Sequence, residues 1–470
     1  MDPLAGCPAD VQRALRPVRE AGPAQSIAAT TEVYRSRGVT MGLWSDGRQE
    51  NRPVVLDPLP RVLTDPTWAW LAAGVEQRHR ALNAFLADAY RAAGRRRGDP
   101  DRSAGIVRAG VLPDWAVVHS PGRDPGAIGL AWPGQLRAAV AAVDLVHTAS
   151  GQWIVVADHL QVPAGLAYAL AARDGITAVG AGRFPPAGVV DSGDAVPMLA
   201  EGLASAAPPA CAGPPRIAVL TTSTGAGVPF EDDLIARALA VPLVHTTDLW
   251  PRLDGGLEAV VDGRRCPVDV LYRRFDDAAL GAYRTPTGQA LDGVLAEAVR
   301  AGRLGLVNVP GNGIADDAAT FAWVPAMIHF YLGEEPLLPS LPTRVLADPE
   351  HWAAVRDRMG EFVFTPVAGY GGGLRMAGPS CSAVELDRLR REIDAAPHRF
   401  VAQEPLAVST LPSASGNGWE SRPATLRVFS VGGAPVRALP APLTCIGTGD
   451  GGFPSPETGA ATKDTWLLSG

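Results

Sequence analysis

The sequence predicts an α/β protein of two or three domains with a parallel, Rossmann-like sheet in its middle, and three observations predict it. The chain has 470 residues, 47% hydrophobic and 19% charged, which is too long for one compact core and too apolar for disorder. Between Arg216 and Asn308, short apolar runs alternate with amphipathic ones, the pattern of parallel strands covered by helices. A proline-rich run of small residues, Ser205 to Pro215, lacks periodicity and reads as the linker before that stretch. The expected division is an N-terminal region over 1–204, a Rossmann-like domain over 216–345 and a third segment over 346–470.

Taken in order, Pro66 to Ala92 carries Trp68, Leu71, Val75, Leu82, Phe85 and Leu86 at helical spacing and is broken by GRRRGDPDRSAG. Arg95 to Arg97, beside Asp99 and Asp101, read as a solvated loop. From Gln135 to Arg173 the order reads helix, strand, strand, helix. The central stretch then gives RIAVLTT, a TSTGAG turn, the helix EDDLIARALA, PLVHTT, VDVLYRRF, the helix GVLAEAVRAG and LGLVNV. The TSTGAG turn does not match GxGxxG, so an anion cradle and plain turn chemistry both stay open. After Arg356 come the strand FVFTP, a glycine loop from Gly369 to Gly373, the helix VELDRLRREIDAAP, the strand RFVAQEPLA, a polar loop SASGNGWESRP and the strand TLRVFSV.

Composition removes several classes of function. The 42 basic and 49 acidic residues give a net charge of −7, so no global field recruits nucleic acid or an anionic membrane. Lys463 is the only lysine. A P-loop with its lysine is therefore absent, and Schiff-base chemistry would have to use that one residue, since arginine cannot replace it. Five widely spaced cysteines without a CxxC pair (Cys7, Cys211, Cys266, Cys381, Cys445) read as reduced thiols. The first residues lack a signal peptide's apolar core, and no uncharged apolar run reaches about 18 residues. The expectation is a cytoplasmic protein that contacts neither membrane nor nucleic acid.

A strand, a loop with four glycines in five residues and a second strand suit a flap over a nucleotide phosphate, because glycine lets backbone N–H groups approach closely; a flexible hairpin is the plainer alternative. Arg273, Arg274, Asp276 and Asp277 close a strand at the C-terminal end of the expected parallel sheet, where ligands bind, or else form a salt-bridged rim. His329 reads as packing, and His79 and His245 have no identifiable partner.

Several runs occur in a fixed order: RPVVLDPLPRVL with QRHRALNAFLADAY, DLVHTASGQWIVVADHLQVPAGLAYAL, VDVLYRRFDD, GNGIADDAATFAWVPAMIHFYLGEEPLLP, FTPVAGYGGG, RFVAQEPLAVST, LRVF and TKDTW. Together, from about Gly38 to Leu468, they resemble the circularly permuted ATP-grasp proteins (type 2) of bacteria. The resemblance implies an ATP-grasp fold: two α+β lobes with a Rossmann-like domain in the middle of the permuted chain. It also implies ADP-forming ligation, in which ATP phosphorylates a carboxylate and an amine attacks the acyl phosphate. ATP and Mg would be the cofactors, and a small-molecule carboxylate and amine the substrates.

The resemblance carries residue roles with it. Arg427 and Lys463 would be catalytic. Gly369, Gly371, Gly372, Gly373, Thr365, Gln403 and Glu404 would bind the nucleotide, and Asp158 and His159 would take the metal. The departures fall on charge-bearing positions. Thr365 stands in the place of a phosphate-binding lysine, Ala368 and Thr425 in the places of acidic residues, Ala318 in that of a second lysine and Ser455 in that of an asparagine. Ala157, Asp158 and His159 stand where relatives read Glu, Asp and Asn. A catalytically degenerate ATP-grasp pseudoenzyme, acting as a binding protein with a protein partner or an active paralogue, is therefore the alternative. A nucleotide-sugar transferase rests on the β/α alternation alone.

Overall fold

The computed structural model describes residues 2–45, 48–94, 103–180, 184–222, 227–367, 375–447 and 453–470. The glycine loop with Gly369, Gly371, Gly372 and Gly373, most of the TSTGAG turn and Arg95 to Arg97 lie outside these residues.

Six largely buried segments build a central sheet in the order Leu56–Leu63, Ala461–Leu467, Leu443–Ile446, Gly418–Val431, Val140–His147, Trp153–His159. The first pair is parallel and the rest antiparallel. Strands from both ends of the chain thus interleave in one sheet, so segments 1–204 and 346–470 share a core. Part of the third segment, joined by Thr343–Val345 from the end of the second, forms a separate small antiparallel sheet in the order Thr343–Val345, Phe400–Gln403, Val363–Pro366, Met376–Ala377. It has its own apolar cluster of Leu346, Phe362, Phe364, Leu389 and Ile393.

The Rossmann-like expectation holds. Gly305–Val307, Val270–Arg273, Ile217–Thr221 and Leu243–His245 form a four-stranded, all-parallel sheet in that order. Helices Phe230–Leu239 and Leu291–Arg300 lie in the connections. A three-stranded antiparallel insertion, Leu249–Pro251, Leu257–Val261 and Arg264–Val268, was not foreseen.

Helix Asp65–Ala93 matches its periodic pattern, burying Leu71, Val75, Leu82, Phe85 and Leu86. Two expectations fail. The helix expected from Gln135 is absent: Ala141 and Ala142 lie instead in strand Val140–His147, paired with Gly418–Val431 and fully buried. Alanine's helix propensity yields there to sheet burial. The polar loop SASGNGWESRP is a β-ribbon, Thr410–Ser415 pairing with Gly418–Val431 around a two-residue Gly-Asn turn, a recognised hairpin sequence.

The small sheet joins the central one through two short crossings, both pinned to the edge hairpin of the central sheet. Val155 donates to the Pro339 carbonyl at 2.9 Å, and Leu341 donates to that of Val155 at 2.8 Å. Ala149 donates to the Ala407 carbonyl at 2.9 Å and Ser409 to that of His147 at 2.7 Å. No helix among the described residues is long and apolar enough to cross a membrane.

Candidate functional site

Residues of alternate parity on a strand face opposite sides of a sheet, and this parity sorts the motif residues. Arg427 and Asp144 are direct cross-strand partners. The Arg427 Nε and Nη2 atoms donate to Asp144 Oδ1 and Oδ2 at 2.7 and 2.8 Å, a bidentate pair, and Nη1 donates to the Ala164 carbonyl at 2.8 Å. His159 joins them, with Nε2 at 2.9 Å from Asp144 Oδ2. Burial opposes ionisation of Asp144, but Arg427 and His159 outweigh it and hold the carboxyl well below the usual range.

Two further groups close around this cluster. Asp316 accepts the backbone N–H of Leu160 at 2.5 Å and that of Gln161 at 3.2 Å. Burial pushes its carboxyl up to about 7, against the field of His159 and those N–H groups. Arg274, at the end of the parallel sheet, donates to the Pro163 carbonyl at 2.9 Å and pairs with Glu231 and Asp232, each at 3.2 Å. Burial pushes Asp232 up to about 6 despite Arg274. The turn Pro163 to Gly165 therefore lies between two guanidiniums. Gly165 has φ +119°, and a Cβ there would meet Leu443 Cδ2 at 2.9 Å and Arg427 Cδ at 3.6 Å, so the close approach requires glycine.

Lys463 lies on the opposite face of the central sheet. It is sealed from solvent, donating to Asp57 Oδ1 at 2.5 Å, the Pro412 carbonyl at 2.8 Å and the Leu59 carbonyl at 3.0 Å. All three ammonium donors are satisfied. Burial lowers its pKa, with Asp57 opposing. Asp464 points back to the Arg427 side, where it pairs with Arg173 at 2.8 Å and accepts from Trp466 Nε1 at 2.7 Å.

Asp158 and His159 do not converge. Asp158 faces the helix Asp65–Ala93, where both carboxylate oxygens are taken by Arg78, Nε at 2.9 Å and Nη2 at 2.6 Å. His159 faces Asp144. Adjacent residues of one strand cannot share an ion from opposite sides of it. Among the described residues no group of three or more His, Cys, Asp or Glu side chains is placed to hold a metal. Magnesium, which takes oxygen ligands, finds no fitting donor set there.

On the small sheet, Thr365 Oγ1 is buried without a hydrogen-bond partner on the strand leading to the glycine loop. Gln403 is held at both ends of its amide: Oε1 accepts from Arg375 at 3.1 Å and Nε2 donates to Thr343 at 2.8 Å. Arg375 also stacks on Phe453, 4.8 Å from the ring centroid. Glu404 meets Arg344 at 3.5 Å on the surface. The orphaned hydroxyl of Thr365 can donate to an incoming phosphate oxygen.

Sequence reasoning missed Asp144, Asp57, Arg78 and Asp316. A signal existed for Asp144, a lone charge in an otherwise apolar strand, since a buried charge needs a partner. The partner itself is a matter of topology. His79 proves to be a core residue bonded to Ser430 and the Ala138 carbonyl, with burial pushing it down to about 4. Arg273 and Arg274 form the salt-bridged rim, through Asp277 and through Glu231 with Asp232.

Residues 60–447 match the family described as circularly permuted ATP-grasp type 2. A protein of Frankia alni named "Putative glutamate--cysteine ligase 2-3" is 37% identical over 445 residues, covering 94% of this chain and 50% of the relative. An uncharacterized protein of Synechocystis is 33% identical, covering 92% of this chain and 88% of its own length. The chain thus spans about half the length of the Frankia relative. Among solved structures, a glutathione synthetase-like effector of Globodera pallida in apo form superposes with a TM-score of 0.55 over 95% of this chain and 97% of that one, at 11% identity.

Proposed function

Since this chain belongs to the circularly permuted ATP-grasp type 2 family, we propose that it is an ATP-dependent, ADP-forming carboxylate–amine ligase with a rebuilt charge apparatus. The observation that carries this reading is the convergence of Arg427, His159, Asp144, Asp316 and Arg274 around the turn Pro163 to Gly165. An acyl phosphate concentrates negative charge, and preorganised guanidiniums in a dry site are the groups that stabilise it. Arg427 is oriented by Asp144 before any substrate arrives. Asp316, with its carboxyl near 7, is poised to take the proton that the attacking ammonium must lose. The γ-phosphoryl group passes from ATP to the carboxylate, ADP leaves, the amine nitrogen forms the amide bond and inorganic phosphate departs. The Frankia relative's name, a glutamate–cysteine ligase, supports the same reaction class.

One observation favours the second reading, a binding protein that kept the fold. Arg427, Lys463 and Asp158, three charges retained at motif positions, are each already paired with a protein group. The deciding experiment follows ADP release from ATP and magnesium with mixtures of amino-acid amines and carboxylates, on the wild type and on Thr365→Lys. The ligase reading expects amine-dependent ADP release, and a lower KM for ATP in the variant. No ADP release and no ATP binding by the wild type, with ATP binding regained by Thr365→Lys, would leave the binding-protein reading in its place.

A further inference from the structure

We propose that a cavity at the C-terminal edge of the parallel sheet, beside the charged cluster, binds a free amino acid through both its ammonium and its carboxylate. The cavity measures about 700 Å³, within the range of small-molecule sites. Strands Val270–Arg273 and Gly305–Val307 run toward it, and Asp276, Asp277 and Pro310, which follow them, line its wall. In open α/β sheets that edge is where ligands bind.

Gln161 marks the cavity as more than a surface hollow. This residue is 6% exposed, lines the cavity, and its Oε1 is buried without a hydrogen-bond partner. A buried acceptor left unmade costs about 1–3 kcal/mol, which an incoming N–H recovers. The walls carry both signs of charge. Asp277 is committed to Arg273 and the Gly311 N–H, whereas Asp276 uses Oδ1 to cap Ala279, so its second oxygen remains for a ligand. Asp124 and Asp292 also line the cavity, each accepting a backbone N–H at Oδ1; the positive charge comes from Arg123 and Arg300, and Arg300 reaches the carbonyls of Gly126 and Ile128 only at 3.3 and 3.4 Å. A ligand with one charge would leave the other sign unmatched; a zwitterion matches both and supplies the N–H that Gln161 lacks. The backbone of Gln161 is held by Asp316, so the cavity and the cluster share one segment. That the bound amino acid is the amine substrate rests on the ligase reading, whereas its binding does not.

The test is calorimetric titration of the full chain, without nucleotide, with each proteinogenic amino acid in turn. Any that binds is titrated again as its N-acetyl and carboxamide derivatives. Binding is expected for at least one, with both derivatives and both Gln161→Leu and Asp276→Asn weakening it at least about tenfold, or roughly 1.4 kcal/mol. Asparagine caps a helix as well as aspartate does, so Asp276→Asn keeps the fold while removing the charge. No binding by any amino acid, binding indifferent to N-acetylation, or full affinity in both variants would overturn the site. Amino-acid binding without ADP release would refute the ligase and leave this site standing, and ADP release without such binding would do the reverse.

Discussion

The two faces of the central sheet each carry one of the motif cations, Arg427 and Lys463, and treat them differently. On one face the Lys463 and Asp57 side chains are both 1% exposed, and main-chain carbonyls complete the ammonium's shell. On the other, Arg427 is equally buried, yet Asp144 is 12% and His159 24% exposed, and the glycine turn lies against them. Membership in a motif therefore does not assign a role. The sealed lysine behaves as a core tie between the neighbouring strands Leu56–Leu63 and Ala461–Leu467, while the arginine faces the side where chemistry has room.

The largest effect that could break this contrast is on stability. Lys463→Met leaves Asp57 buried without its cation, and removing one partner of a buried pair costs roughly 3–5 kcal/mol. The double variant Lys463→Met/Asp57→Asn should regain part of that loss in urea unfolding, because asparagine removes the unpaired charge and keeps an acceptor for the buried N–H groups of Leu59 and Ala414 that Asp57 holds. If Lys463→Met unfolds like the wild type, the lysine is not a structural tie and a ligand-binding role returns.

Arg427→Gln should cost less, about 2 kcal/mol, since Asp144 keeps His159 and some contact with water. It also changes the acid side of the stability profile. Asp144 has a lowered carboxyl pKa in the fold. The stability it contributes is present above the unfolded carboxylate value near 4 and is lost as pH falls through the folded value. In Arg427→Gln that acid-side loss shrinks. A variant with the wild-type slope below pH 4 would mean that Arg427 does not hold the carboxylate ionised.

Much of the fold was legible because its signals are local. The parallel sheet showed in β/α alternation, and the long helix in the spacing of Leu71, Val75, Leu82, Phe85 and Leu86. Strand Val140–His147 was half legible: its alanines mimic a helix, and its place between Trp153–His159, a local neighbour, and Gly418–Val431, some 280 positions away, decides the matter. The site was less legible for the same reason. Arg427 could be found from its motif, but Asp144 and Asp316 reach it through pairings that no spacing encodes. Asp158 and His159 looked like a ligand pair in one dimension, and strand parity parts them.

The smallest effect separates the two faces by pH alone. Asp316 stands on the chemical face with its carboxyl raised to about 7, while the unfolded value lies near 4. The folded state thus holds a proton that the unfolded state has lost between those values. The stability this provides is full below about pH 4 and is lost as pH rises through 7. Asp316→Asn stays neutral and keeps one acceptor for the N–H groups of Leu160 and Gln161, so its profile should be flatter across pH 4 to 7. Thermal unfolding measured across that interval reads the difference. The same variant should remove the rise of ADP release with pH near 7, if Asp316 accepts the proton of the amine. Equal slopes in wild type and variant would show that Asp316 has an ordinary carboxylate's affinity for protons in the fold, which makes it a weak base and passes that role to His159 beside Arg427 or to Asp232 beside Arg274.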